Sequence, residues 1–178
     1  GIPWIGAVVC PLEKSASPKR TKEVLSKISG QYVLDFDEYE VENAKVLSIL
    51  NAYEYDDRFV DMALQEEEGI SEIIFTTGTT GQSKGILVSN RCNLAIAENV
   101  IDSVSMTEDE VELISSPTSH SLAIRRLYAA MYIGSSVIFS ENFLLYENLW
   151  GLIDKYNVTA ITIVPAILNL ILEAYKEK

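Results

Sequence analysis

Apolar residues recur along this chain in two patterns. Short continuous runs mark strands, and apolar positions three and four apart mark helices. Ile5 to Leu12 reads as a buried strand that ends at Pro11. Ser17-Pro18 then opens a helix, with Ser17 as N-cap and Pro18 at the first helical position. Val24, Leu25 and Ile28 form its apolar face, Gly30 closes it, and Tyr32-Val33-Leu34 is the next strand. This strand–helix–strand unit is the building block of a parallel sheet. From Asp35 to Gly69 acids dominate and periodicity is weak. Val46, Leu47, Ile49 and Leu50 suggest a short helix or strand, and Phe59, Met62, Ala63 and Leu64 a short helix, within what reads as a surface connection. Ile73-Ile74-Phe75 and Ile86-Leu87-Val88 are two further strands.

Beyond them the alternation becomes regular. Ser89 or Asn90 caps a helix that runs to about Val104, with Leu94, Ala97, Val100, Ile101 and Val104 at helical spacing. Val111 to Ser115 is a strand stopped by Pro117. Ser119 or Ser121 caps the next helix, which Gly134 terminates. Val137-Ile138-Phe139 is a strand, Leu149 to Tyr156 a helix, and Val158 to Val164 a β-branched strand expected to be buried on both faces. Pro165 opens the last helix, with Ile167, Leu168, Ile171 and Leu172 expected to pack inward. The pattern predicts an α/β fold with a mostly parallel, doubly wound sheet flanked by helices. Its later strands fall near Glu112–Ser115, Val137–Phe139 and Ala160–Val164.

The two strands at Ile73 and Ile86 enclose the most informative stretch, Phe75-Thr76-Thr77-Gly78-Thr79-Thr80-Gly81-Gln82-Ser83-Lys84-Gly85. It holds four threonines, three glycines and one lysine in eleven residues. Glycines let backbone N–H groups approach a ligand closely, and successive N–H groups in such a loop form an anion-binding concavity. Thr76, Thr77, Thr79 and Thr80 add hydroxyl donors, and Lys84 adds a mobile point charge. That donor set suits a polyphosphate. It is not the common P-loop, which needs Gly directly before the Lys and Ser or Thr directly after it; here Ser83 precedes Lys84 and Gly85 follows. A plain hairpin with a polar tip is the alternative. Eight consecutive residues drawn only from Gly, Thr, Lys, Gln and Ser argue against it.

Composition narrows the partners. The 178 residues are 48% apolar and carry 26 acids against 14 bases, a net charge of −12. A nucleic-acid backbone needs a basic face, so it is not the expected partner. Cys10 and Cys92 have no metal or redox spacing and read as buried thiols of a reducing cytosol. The longest apolar run, Ala160 to Leu168, is too short to span a bilayer. Three adjacent carboxylates, Glu66-Glu67-Glu68, do not share a face and read as a solvated turn rather than a metal site. Of Arg125 and Arg126, one is expected to face solvent.

The loop resembles the phosphate-binding signature of the adenylate-forming superfamily, which includes acyl- and aryl-CoA ligases, peptide-synthetase adenylation domains and luciferases. That signature reads aromatic-Thr-Ser-Gly-Thr-Thr-Gly-x-Pro-Lys-Gly. Thr77 stands where Ser is usual and keeps the hydroxyl; Ser83 stands where Pro is usual and gives up rigidity. Gly6 to Leu12 with the helix after Ser17, and the order Pro117-Thr118-Ser119-His120, Gly134, Val158-Thr159, Pro165, are similar to the same family. Acyl-CoA ligases usually read Pro-Leu-Phe-His at the first of these later stretches.

The resemblance implies a partial AMP-binding N-terminal domain over residues 1–178 of a longer acyl-CoA synthetase-like enzyme, without the family's C-terminal catalytic-lysine domain. It implies ATP and Mg²⁺, a carboxylic-acid substrate, and CoA or a carrier-protein thiol as acceptor, in the cytoplasm. It assigns Thr76, Thr77, Gly78, Thr79, Thr80, Gly81 and Lys84 to the phosphates, and puts His120, the single histidine, at the mouth of the acyl pocket. His120 read by itself is equally a hydrogen-bonded residue near a helix start. The rival readings are an amino-acid-activating adenylation domain, a non-catalytic phosphate-binding module and an unrelated NTPase. His120 favours the CoA ligase, because amino-acid activators more often place an acid near an aromatic. No residue here is assigned to the metal.

Overall fold

The structure, a computed structural model, describes residues 6–13, 15–35, 40, 44–48, 66–76, 83–140 and 146–176. The chain divides into two compact units, Leu12–Met62 and the remainder. In the smaller unit, helix α1 spans Pro18–Ile28. Ser17 caps it by accepting the Arg20 N–H at 3.2 Å, and Ser29 ends it in the left-handed conformation. Thr21 and Val24 are its buried positions. Strand β1, Tyr32–Asp35, pairs in parallel with β2, Lys45–Ser48. The segment left open between helix and strand is therefore a strand, not surface connection, at Lys45–Ser48. Its β-branched and aliphatic residues fit the pleat. Phe59, Met62, Ala63 and Leu64 lie outside the described residues.

The larger unit holds two sheets. Strands β3, Ile70–Thr76, and β4, Lys84–Ser89, form an antiparallel pair. The expected first strand, Ile5 to Leu12, contributes among its described residues one parallel bridge, Val9 to Glu72, with two backbone hydrogen bonds. Val8 is exposed there and Pro11 has no N–H to give. Ser89 caps helix α2, Asn90–Val104, by accepting the Cys92 N–H. Then follow β5 (Val111–Ile114), α3 (Ser121–Ile133), β6 (Ser136–Phe139), α4 (Tyr146–Tyr156), β7 (Ala160–Thr162) and α5 (Pro165–Lys176). The second sheet is all parallel in the order β6-β5-β7. The expected doubly wound arrangement is present: the chain steps from β5 to one side through α3, then crosses to the other side through α4.

Alternation along β5 and β6 gives each sheet face its own helices. Leu113 and Ile138 face α4 and α5, packing with Leu149, Leu152, Ile153, Ile167 and Ile171. Val137 faces the other layer, where Ala97 and Met106 meet Ala129 and Ala130 of α3. The small residues let α2 and α3 approach closely. Gly134 ends α3 at φ +84°, a conformation that strains any L side chain.

Four expectations are corrected. Neither Ser119 nor Ser121 caps α3. The His120 N–H donates to Pro117 carbonyl at 2.9 Å, and this turn puts His120 itself at the N-cap position, without a side-chain cap bond. Strand β7 is three residues long and half-exposed, because one neighbour, β5, is all it has among the described strands. Leu168 and Leu172 are 43% and 50% exposed; they sit one position round from Ile167 and Ile171, which take the inward face. Cys10 is half-buried and Cys92 exposed, so they are not a pair of buried thiols. Among the described residues no helix is long and apolar enough to cross a membrane.

Candidate functional site

The hairpin of β3 and β4 presents the loop. Its last register pair is Thr76 opposite Lys84, so a hydroxyl and an ammonium stand side by side at the loop's two ends, both exposed. The adjoining pair is Phe75 opposite Gly85. A Cβ at Gly85 would stand 3.1 Å from Ile73 Cγ2 and 3.2 Å from Phe75 Cζ, so the missing side chain lets the Phe75 ring lie against the partner strand. Thr77, Gly78, Thr79, Thr80 and Gly81 lie outside the described residues.

His120 stands on a different element, exposed, at the start of α3 and just past the carboxyl end of β5. In open α/β sheets ligands bind outside the carboxyl ends of the strands, where the strand order reverses. Strand β5 is that reversal point, between β6 and β7. Backbone and side-chain bonds tie this end together: the Ser140 N–H donates to Ile114 carbonyl, and the Ser115 hydroxyl donates to Thr162 carbonyl. The structure thus brings Thr76 and Lys84 together and puts His120 past the carboxyl end of β5. Glu66, Glu67 and Glu68 are exposed in the turn before β3, and Glu68 pairs with Arg91. A depression of about 360 Å³ lies beside them, lined among the described residues by Glu67, Asn90, Arg91, Leu94, Ala95 and Glu98, and so apart from Thr76 and Lys84.

Sequence reasoning missed the charged interior. Both Arg125 and Arg126 are buried, against the expectation that one faces solvent. Arg125 Nη2 donates to Glu72 Oε2 at 2.7 Å, its Nη1 donates to Asn93 Oδ1, and its guanidinium lies 5.7 Å from the centre of the Tyr128 ring. Arg126 Nε donates to Glu112 Oε1 at 2.6 Å and its Nη2 to Glu110 at 3.4 Å; the Thr162 hydroxyl also donates to Glu112. Glu72 and Glu112 are fully buried. Burial pushes the Tyr128 hydroxyl above its ordinary value, the Glu72 charge adds to this, and Arg125 opposes it. A signal was available. Glu72 and Glu112 interrupt apolar strands and two arginines interrupt an apolar helix, and buried charges persist only in complementary pairs.

Sequence and fold comparisons find relatives of one kind. Malformin synthetase mlfA of Aspergillus niger is 24% identical over 96% of this chain and 4% of its own length. The 3-methylmercaptopropionyl-CoA ligase of Ruegeria pomeroyi is 32% identical over 64% of this chain and 21% of its own length. The o-succinylbenzoate CoA synthetase of Bacillus subtilis has the same fold. Solved with the acyl-adenylate intermediate OSB-AMP, it superposes at TM-score 0.85 and 18% identity over 96% of this chain and 46% of that one. Solved with ATP and magnesium ion, it gives TM-score 0.84 at 18% identity, over 94% and 36%. The chain therefore spans less than half the length of each of these relatives. The family described as AMP-binding enzyme matches residues 1–178, the whole chain, which accordingly belongs to that family of adenylate-forming enzymes.

Proposed function

We propose that this chain is part of the N-terminal, nucleotide-binding domain of a longer acid–thiol ligase that uses ATP to activate a carboxylic acid and passes the acyl group to CoA. The observation that carries the reading is the Thr76–Lys84 pair at the two ends of the glycine- and threonine-rich loop. The donor set fits a polyphosphate: an exposed ammonium and an exposed hydroxyl stand at one end of a hairpin, with no carboxylate in the three adjoining pairs, Phe75–Gly85, Ile74–Ile86 and Ile73–Leu87. Lys84 and Thr76 would hold the β- and γ-phosphates, joined by Thr77, Gly78, Thr79, Thr80 and Gly81 of the loop.

The chemistry is a displacement. A carboxylate oxygen attacks the α-phosphorus, the bond to the bridging oxygen breaks, and pyrophosphate leaves; a thiol then attacks the acyl carbon and AMP departs. Holding the outer phosphates presents the α-phosphorus in line with the acid. The cation at Lys84 would stabilise the charge that grows on the departing pyrophosphate. Mg²⁺ would accompany the polyphosphate and neutralise part of its charge. His120, beyond the carboxyl end of β5, would line the acyl side. A second reading, an amino-acid-activating adenylation domain with a carrier-protein thiol as acceptor, is favoured by the malformin synthetase alignment, which runs over 96% of the chain.

The test is acid-dependent ATP–pyrophosphate exchange by the full-length protein over panels of carboxylic and amino acids, followed by thiolation of CoA or of a carrier. Lys84→Ala is expected to lower exchange about a hundredfold. It should leave the melting curve nearly in place, within about 0.5 kcal/mol, because Lys84 is exposed. Undiminished exchange removes the phosphate role, and exchange with amino acids alone selects the second reading.

A further inference from the structure

The two buried arginines are consecutive, and consecutive helical residues point about 100° apart. Their side chains accordingly leave α3 towards different sheets. Arg126 reaches the parallel sheet at Glu112. Arg125 reaches the hairpin at Glu72 and, through Asn93, the start of α2. Asn93 in turn donates to Ser71 Oγ at 3.0 Å, and Ser71 Oγ donates to Val88 carbonyl at 3.4 Å. One guanidinium thus gathers β3, β4, α2 and α3. Glu72 lies four residues before Thr76 on the same strand, and Arg125 five residues after His120 on the same helix.

We infer that Arg125, with Glu72 and Asn93, is a positioning device that sets the phosphate-loop hairpin relative to the helix that begins at His120; this rests on the adenylation reading above. Stability alone does not call for such a pair, since buried ion pairs are often no better than apolar replacements. A guanidinium fork fixes both distance and orientation, which an ammonium does not. The arrangement suits a reaction in which phosphates and acid are held by different elements and must meet in line.

Arg125→Lys keeps the charge and loses the fork; Arg126→Lys does the same at the other sheet and serves as its control. Two measurements are made on each. In the full-length enzyme, Arg125→Lys is expected to lower the maximal exchange rate about a hundredfold, with KM for ATP within about twofold; Arg126→Lys should leave the rate near wild type. In hydrogen exchange, Arg125→Lys should raise exchange at the amides of Ile73–Thr76, Lys84–Leu87 and the start of α3, whereas Arg126→Lys should raise it in β5 and β7 and spare the hairpin. Equal effects of the two variants on rate, or an unaltered hairpin in Arg125→Lys, would overturn the inference. If the wild-type enzyme shows no exchange activity, the adenylation reading fails, and hydrogen exchange still decides whether Arg125 fixes the hairpin.

Discussion

Tyr128 shows how the buried charges shape a single residue. Its hydroxyl is raised above the ordinary tyrosine value, first by burial and then by Glu72, with Arg125 pulling the other way. The unfolded chain therefore loses this proton at a lower pH than the folded chain. The contribution to stability is fully present below about pH 10, the ordinary value, and is lost as pH rises through the higher folded value. Wild type is expected to lose melting temperature more steeply than Tyr128→Phe across this alkaline range; parallel curves would show that the hydroxyl is not coupled to folding. Arg126 permits a second test. Arg126→Met strands Glu112 and should cost about 3–5 kcal/mol in denaturant melts, while Glu112→Leu together with Arg126→Met should recover most of it. The sequence signals that these charges interrupt apolar elements but not which of them pair, because partnership is a property of three dimensions. Glu72 and Arg125 are 53 positions apart, and nothing local distinguishes a paired arginine from a solvated one.

Elements were more legible where local physics decides them. Ser17-Pro18, Ser89 and Gly134 mark helix ends by capping chemistry that needs no tertiary partner, and each falls where the sequence places it. Reading failed where tertiary contacts decide: the N-cap of α3 is His120, one residue from either expected cap, because the Pro117–His120 turn sets its entry. Lys45–Ser48 became a strand because β1 was there to pair with it. Gly134 offers a quantitative check. A Cβ there meets nothing within 4 Å, so substitution costs only the left-handed backbone. Gly134→Ala should destabilise by about 1 kcal/mol, and Gly134→Asn by less, since Asn tolerates that region. A loss of several kcal/mol in urea melts would mean that packing, not φ, keeps glycine there.

At the scale of the whole molecule, the loop motif was legible because phosphate binding is done by backbone and short side chains contiguous in sequence. The setting of His120 was not, because the carboxyl end of the parallel sheet is assembled from strands far apart in sequence. The chain spans 46% of the Bacillus subtilis synthetase it superposes on. Its apolar surface agrees with that share: Ile161 on β7 and Val164, Leu168, Leu170 and Leu172 at α5 are each between 37% and 53% exposed. Exposed apolar side chains in this number bind hydrophobic probes. These 178 residues by themselves are therefore expected to fold, to bind an anilinonaphthalene dye, and to hold ATP or pyrophosphate weakly. Thr76 and Lys84, exposed at the loop's two ends, offer only exposed contacts, each worth about 1 kcal/mol or less. Calorimetry with ATP and with pyrophosphate, beside an exchange assay over short, long and aryl acids, checks this directly. Tight ATP binding or robust exchange by the isolated chain would mean that the catalytic site is complete within it, and would move the search for the acid pocket from the longer protein to the carboxyl ends of β5, β6 and β7.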